Sequence, residues 1–250
     1  MTALDELATT PFHEADDAVR SRILSRLANT ELFAALIREP DGDLAELRIF
    51  DLPDFPAALA CDTEDRLAAF FEGPVVHLGA PGRVLAARLA EQGRGLLVNP
   101  GLPSEMLLDP VTLSWLGQAL TETPPETDAT QPLRLFAPEA AAVNILAGAL
   151  AERLQDMAGL VGESAILGAE WPERRRGHLI LVRGVAAEHQ PPVAKALAEL
   201  LTFLPQIEGG VDVAFSDRAA PSDALVIEAP KRPEPVAPPK RDPSAPPRLR

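Results

Sequence analysis

The stretch GRGLLVNPGLPSEMLLDP, Gly93–Pro110, admits three readings: a phosphate-gripping loop, a serine nucleophile on a turn, or a bend between two strands. Ser104 lacks the G-x-S-x-G frame of a nucleophile elbow, and no lysine is placed to meet a phosphate. What remains is local structure. Gly93 and Gly95 follow a helix and stop it, and Leu96–Val98 is a short buried strand. Asn99-Pro100-Gly101 makes a turn in which proline presets one dihedral and glycine takes the positive one. Met106–Leu108 is the return strand, and Asp109-Pro110 caps and starts a helix bearing Leu113 and Leu116. Strand, turn, strand and helix in one run set a mixed α/β pattern that the flanking sequence repeats.

Upstream, Ala15, Val19, Ile23 and Leu27 recur at helical spacing and predict an amphipathic helix over residues 13–27. Strand-like runs follow at Leu32–Ile37, Leu47–Leu52 and Phe55–Ala60. Asp62 or Thr63 caps a helix that ends at Gly73-Pro74, and strand Val75–Leu78 leads into a helix with Pro81 in its first turn. Downstream, Thr121–Pro132 holds three prolines and no apolar residue except Ala129, so it reads as a linker. Beyond it come strand Leu133–Phe136, a long helix striped by Val143, Leu146, Leu150, Leu154 and Met157, and a hairpin of Val161–Trp171 with His178–Val182. A second helix carries Val193, Leu197, Leu200, Leu201 and Leu204, and strands Val211–Phe215 and Ala224–Ile227 end the pattern. This order predicts a ferredoxin-like β-α-β-β-α-β sandwich with an extra strand. The last 22 residues, 229–250, contain eight prolines and read as an extended or disordered tail. The predicted organisation is therefore a domain over 13–120, a linker over 121–132, a domain over 133–228 and a tail over 229–250.

Three segments of the first block, Glu31–Ile37 (ELFAALI), Phe55–Phe71 (FPAALACDTEDRLAAFF) and Gly95–Leu116, resemble the SseB family, the bacterial enhanced serine sensitivity proteins. The Asn-Pro-Gly turn followed by a short apolar strand and a helix is the best motif of the resemblance. Ala194–Phe215 is similar to that family's C-terminal domain. The chain departs from the family at Ala60-Cys61-Asp62-Thr63, where members often carry a Phe-Thr-Ser-like strand end. The resemblance implies two domains; it implies no catalytic residues, because the family has none agreed.

Composition narrows the function classes. The net charge is −14, yet residues 229–250 hold six Lys/Arg against two acids, leaving 17 against 35, or −18, on the first 228. Such a body lacks the basic stripe that nucleic-acid binding needs. No apolar run is long enough for a membrane span, the N-terminus is acidic rather than signal-like, and one cysteine makes no internal disulfide, which together predict a cytoplasmic protein.

Each chemical candidate has a plainer reading beside it. Cys61 lies at a predicted strand end before a helix, where a thiolate gains from the helix dipole, and His77 is the base that could approach it across the sheet. The plainer reading is a small core residue. His13, Asp16 and Asp17 share a predicted helical face but read as solvated, and the four histidines show no zinc spacing, with His178 and His189 expected at the surface. Gly79–Ala86 lacks the full glycine and lysine pattern of a phosphate loop, although Arg83 in its first turn suits an anion. Arg174, Arg175 and Arg176 at the hairpin tip are the densest positive charge in the acidic body, a contact point for a carboxylate-rich or phosphorylated partner or else a solvated turn.

With no catalytic dyad, metal cluster or cofactor fingerprint, the sequence predicts a non-enzymatic α/β protein that works through contacts with a protein partner, without cofactor, nucleic acid or membrane. The rival is a small-ligand-binding protein or an enzyme using thiol or sulfur chemistry at Cys61 in a site between the domains.

Overall fold

The computed structural model describes residues 1–42, 44–121 and 130–231. Most of the predicted linker and the tail beyond residue 231 lie outside the described residues.

The first unit is built on a six-stranded mixed sheet of β1 (Glu31–Ala35), β2 (Ile49–Asp51), β3 (Pro56–Cys61), β4 (His77–Pro81), β5 (Gly95–Val98) and β6 (Met106–Leu108). The strand order is β4-β1-β3-β5-β6, with β2 sharing the β1 edge of β3. Only β3 and β5 run parallel, Ala57 opposite Gly95 through Ala60 opposite Val98. Central β3 is buried on both faces, as its unbroken apolar run requires. Ala58 and Ala60 face α1 (Ala3–Leu7), α2 (Asp17–Asn29), α4 (Gly82–Glu91) and α5 (Pro110–Thr121), where Leu27, Leu89, Leu96, Leu113 and Leu116 form the main core. Leu59 and Cys61 face α3 (Glu64–Phe70) and Leu67. The caps act as the sequence suggests: Asp109 Oδ1 accepts from Thr112 N at 2.6 Å, and Thr63 accepts from Arg66 N.

Several boundaries differ from the sequence reading: the strand expected over Val75–Leu78 is His77–Pro81, the helix expected to run to Gly73-Pro74 ends at Phe70, and two more differences lie at the N-terminal end. The helix expected over residues 13–27 starts at Asp17, because Asp16 turns its side chain onto Val19 N at 2.8 Å and ends the loop there. Residues 3–7, outside the predicted domain, form α1, whose Leu4 is buried in the first core. A helix this short shows no periodicity; its trace in the sequence is the reciprocal Thr2–Asp5 capping box.

The second unit holds β7 (Arg134–Phe136), α6 (Ala140–Asp156), β8 (Glu163–Glu170), β9 (Arg176–Arg183), α7 (Gln190–Thr202), β10 (Val211–Phe215) and β11 (Leu225–Glu228), the element order read from the sequence. The α/β class holds, but the pairing is not that of a ferredoxin-like sandwich. β8 and β9 pair antiparallel over eight positions and occupy the centre, β10 lies parallel beside β9, and β7 and β11 share the far edge of β8. No strand lies between β9 and β10, so that crossover is not split. The reason is burial: β8 and β9 are apolar on both faces along nearly their whole length, whereas β7 has three residues and fills only part of an edge.

The two units meet through α2, α4 and α5 on one side and α6 and α7 on the other. Phe203, just past α7, is buried in the first core with its ring edge-on to Trp115 at 5.7 Å. Arg22 pairs with Glu152 at 2.6 Å and Arg26 with Asp156 at 2.8 Å. Arg83 does meet an anion, the buried Glu199 of α7, in a two-pronged contact at 3.1 and 2.9 Å.

Candidate functional site

The carboxyl ends of parallel β3 and β5 lie side by side, the position at which open α/β sheets place ligand crevices. Asp62 follows β3 and Asn99 follows β5. Asn99 is fully buried with φ +49°, a left-handed conformation that asparagine tolerates better than most residues. Its N–H donates to Ala60 O at 3.1 Å, and its side-chain Oδ1 accepts from Asp62 N at 3.0 Å, extending the ladder with a side chain. Asn99 Nδ2 donates to Ser104 Oγ at 2.9 Å, and Ser104 Oγ donates to Asp5 Oδ1 at 2.6 Å. Arg66 on α3 closes the ring. Its Nη1 reaches Asp62 Oδ1 at 2.8 Å, Thr2 Oγ1 at 3.2 Å and Asp5 Oδ1 at 3.3 Å, and its Nη2 donates to Asp5 Oδ2. Thr2 Oγ1 donates to Asp62 Oδ2 at 2.6 Å, and Thr2 N donates to Asp5 Oδ2 at 3.0 Å.

The side chains of Asp62, Asp5 and Arg66 are 2%, 7% and 19% exposed, so two carboxylates and one guanidinium share a largely dry site. Burial by itself raises the Asp5 carboxyl; the hydrogen bonds from Arg66, Ser104 and Thr2 outweigh it and hold Asp5 below the usual carboxylate range. The Arg66 guanidinium is held more firmly protonated, chiefly by Asp5. Ser104 gives its proton to a carboxylate that stays ionised, so its hydroxyl is not activated as a nucleophile. Within the cluster the Asp5 carboxylate is the common acceptor of bonds from Arg66, Ser104 and Thr2. Sequence reasoning passed over the cluster because Thr2, Asp5, Asp62, Arg66, Asn99 and Ser104 come from three separate segments. The Thr2–Asp5 capping spacing and the Asp62–Arg66 spacing of four were the available signals.

The sequence-predicted residues fall elsewhere. Cys61 is buried among Ala35, Leu59 and Leu67, and burial followed by the charge of Asp62 pushes its thiol up to about 11. Cys61 pairs with Phe33 on one side of β1, while His77 pairs with Ala35 on the other side. A whole strand separates them, and the Phe33 ring packs edge-on against His77 at 5.6 Å. His77 instead faces Val75 O at 3.0 Å and Glu64 at 3.5 Å. Neither residue borders the contact between the two units. There, Arg22, Ser25, Arg26, Asn29, Glu152 and Arg153 surround a cavity of about 30 Å³, room for a water or two, and a hollow of about 310 Å³ lies beside it, lined by Glu6, Thr9, Arg22, Arg26, Glu152 and Gln155 among others.

At the hairpin tip, Arg175 pairs with Asp212 at 2.7 Å and stacks over the Trp171 ring at 4.0 Å, and Arg176 reaches Glu170 at 3.4 Å. Arg174 is exposed with φ +62° and shows no ion pair among the described residues. His13 sits in the loop before α2 and contacts Glu14, Asp16 is the α2 cap and Asp17 faces Arg20, so the three do not converge. His178, expected at the surface, is buried on central β9 opposite Gly168, while His189 is exposed.

The α3 side of the first sheet is the molecule's aromatic face. Phe33, Phe50 and Phe71 pack there with Leu59 and Leu97, Phe55 lies over Gly95, where any side chain would collide with its ring, and Phe70 stacks edge-on to Phe71 at 5.1 Å. Five of the nine phenylalanines are thus on one face. One seven-residue helix covers it, leaving Phe70 44% and Leu107, opposite Leu97 on β6, 47% exposed.

Fold and site together define a small mixed α/β domain whose N-terminal turn is tied into the ends of its parallel strands. Residues 4–115 match the SseB protein N-terminal domain, which identifies the first domain as an SseB N-terminal domain. No curated protein and no solved structure shows a significant match. Among the described residues no helix is long and apolar enough to cross a membrane.

Proposed function

We propose that this protein is a non-enzymatic, cytoplasmic binding and regulatory module that acts through contacts with another protein, using the aromatic face of the first sheet. The observation that carries this reading is the concentration of phenylalanines on a sheet face left half-covered, with exposed Phe70 and Leu107 at its margin. Aromatic anchors of this kind dominate protein interfaces, and a contiguous apolar patch is costly unless a partner covers it. The thiol chemistry considered for Cys61 loses support from its burial, its raised pKa and the strand between it and His77. The second domain is read as the SseB C-terminal domain, supported by the run Ala194–Phe215, and Arg174 as a secondary contact for acidic groups.

The test is affinity isolation of the tagged protein beside a Phe70→Glu/Leu107→Glu variant, whose half-exposed positions leave the core intact. A partner held by the native chain and lost from the variant is the expected result. If neither chain holds a partner while a metabolite raises the melting temperature of both, the module is a small-ligand receptor instead.

A further inference from the structure

We propose that Arg66, Ser104 and Asn99 form a carboxylate-binding site at the carboxyl ends of β3 and β5, that Asp5 of the same chain occupies it, and that an external carboxylate can take its place. This site lies apart from the aromatic face and goes beyond the reading above.

The receptor and its occupant are built differently. Asn99 and Ser104 are buried and held by the β5–β6 connection, and Arg66 is anchored on α3 to Asp62 at 2.8 Å, so the donors are fixed without help from the N-terminal segment. The hydrogen bonds run one way: Asn99 donates to Ser104, Ser104 donates onward, and both Arg66 Nη atoms point to the same carboxylate. Such a chain of donors ends in an acceptor, and the bidentate guanidinium selects a planar carboxylate. Asp5 supplies it from a five-residue helix with Leu4 as its one buried side chain, a length that is not stable alone in water.

When Asp5 leaves, Ser104 Oγ and Arg66 Nη2 lose their acceptor and face the same vacated space. Asp62 still balances Arg66, so the emptied site is close to neutral. A singly charged carboxylate restores the lost acceptor with the single charge that Asp5 had, whereas a phosphate dianion adds further repulsion from Asp62. Asp62 Oδ2, which accepts from Thr2 Oγ1 at 2.6 Å, adds a place for a hydroxyl beside the carboxylate. The ligand chemistry is a carboxylate with a neighbouring hydrogen-bond donor, carried by an acidic peptide or by a small free acid.

Two probes separate these sources: a labelled peptide of residues 1–9 (MTALDELAT) and acetate. The full chain is compared with a Leu4→Gln/Asp5→Asn variant, in which the occupant loses its anchor and its charge. The variant is expected to bind the peptide about tenfold or more tighter than the native chain. Binding falls by a similar factor when Arg66→Gln is added or when the peptide carries Asp5→Asn. Peptide bound in the presence of acetate identifies an acidic segment; peptide displaced by acetate at constant ionic strength identifies a general carboxylate receptor. A folded variant that binds neither probe, or whose binding ignores Arg66→Gln, overturns the proposal. A second measurement needs no variant. Saturating peptide added to the native chain should speed hydrogen exchange at the Glu6 and Ala8 amides, which are bonded within α1. Exchange that stays unchanged also overturns it.

Discussion

Arg66 and the triplet Arg174–Arg176 are opposite ways of placing positive charge in an acidic chain. The triplet stands out in the sequence, yet its members are exposed, and two of them meet close neighbours: Asp212 and Trp171 for Arg175, Glu170 for Arg176. Arg66 is an unremarked residue in a helix, yet it ties together Thr2, Asp5 and Asp62 in a site that water barely reaches. Solvent screens the first set and leaves the second at nearly full strength, so local charge density says little about which arginine matters to the fold.

Mutation can break this contrast, starting with Arg66→Ala. Two buried carboxylates are then left without their counter-charge, which should cost about 3 kcal/mol and lower the melting temperature by roughly 6–12 °C, read by calorimetry. Asp5→Asn removes the ion pair but keeps the shape, and should cost about 2 kcal/mol at neutral pH. Its pH dependence sharpens the point. Asp5 is held low in the fold and returns to about 4 on unfolding, so its ionised form contributes stability that is complete above pH ~4 and is lost as the pH falls toward the folded value. The gap between native and Asp5→Asn stabilities should therefore be flat above pH ~5 and close in stronger acid; a gap that persists there would mean the charge is not what Asp5 contributes.

Ser104→Ala removes one link of the relay and should cost about 1 kcal/mol by urea unfolding. In a double-mutant cycle with Asp5→Asn the two costs should fall short of adding, because the second change removes a bond already broken. The smallest effect belongs to the hairpin: Arg175→Ala, with its partner nearly half exposed, should stay within about 1 kcal/mol. An Arg175 effect as large as that of Arg66 would erase the distinction between the two regions.

Much of the architecture was legible from periodicity. The stripe Val193, Leu197 and Leu200 marks α7, the Asn99-Pro100-Gly101 turn joins β5 to β6 with Gly101 at φ +76°, and Asp109 caps α5. These features are written in neighbouring residues. Strand pairing is not: the same β-α-β-β-α-β order fits a split crossover and the observed sheet, and what chose between them was the burial of β8 and β9 on both faces against the three residues of β7.

The quoted stretch shows the same division inside one loop. Gly93–Pro110 by itself determined a hairpin and a helix cap, because turn dihedrals and capping bonds depend on residues a few positions apart. That Asn99 and Ser104 also feed a buried carboxylate site was decided only by the tertiary structure. It brings residues 37 and 99 positions away, Asp62 and Asp5, into hydrogen-bond range, and a buried charge takes its meaning from the groups that replace water around it.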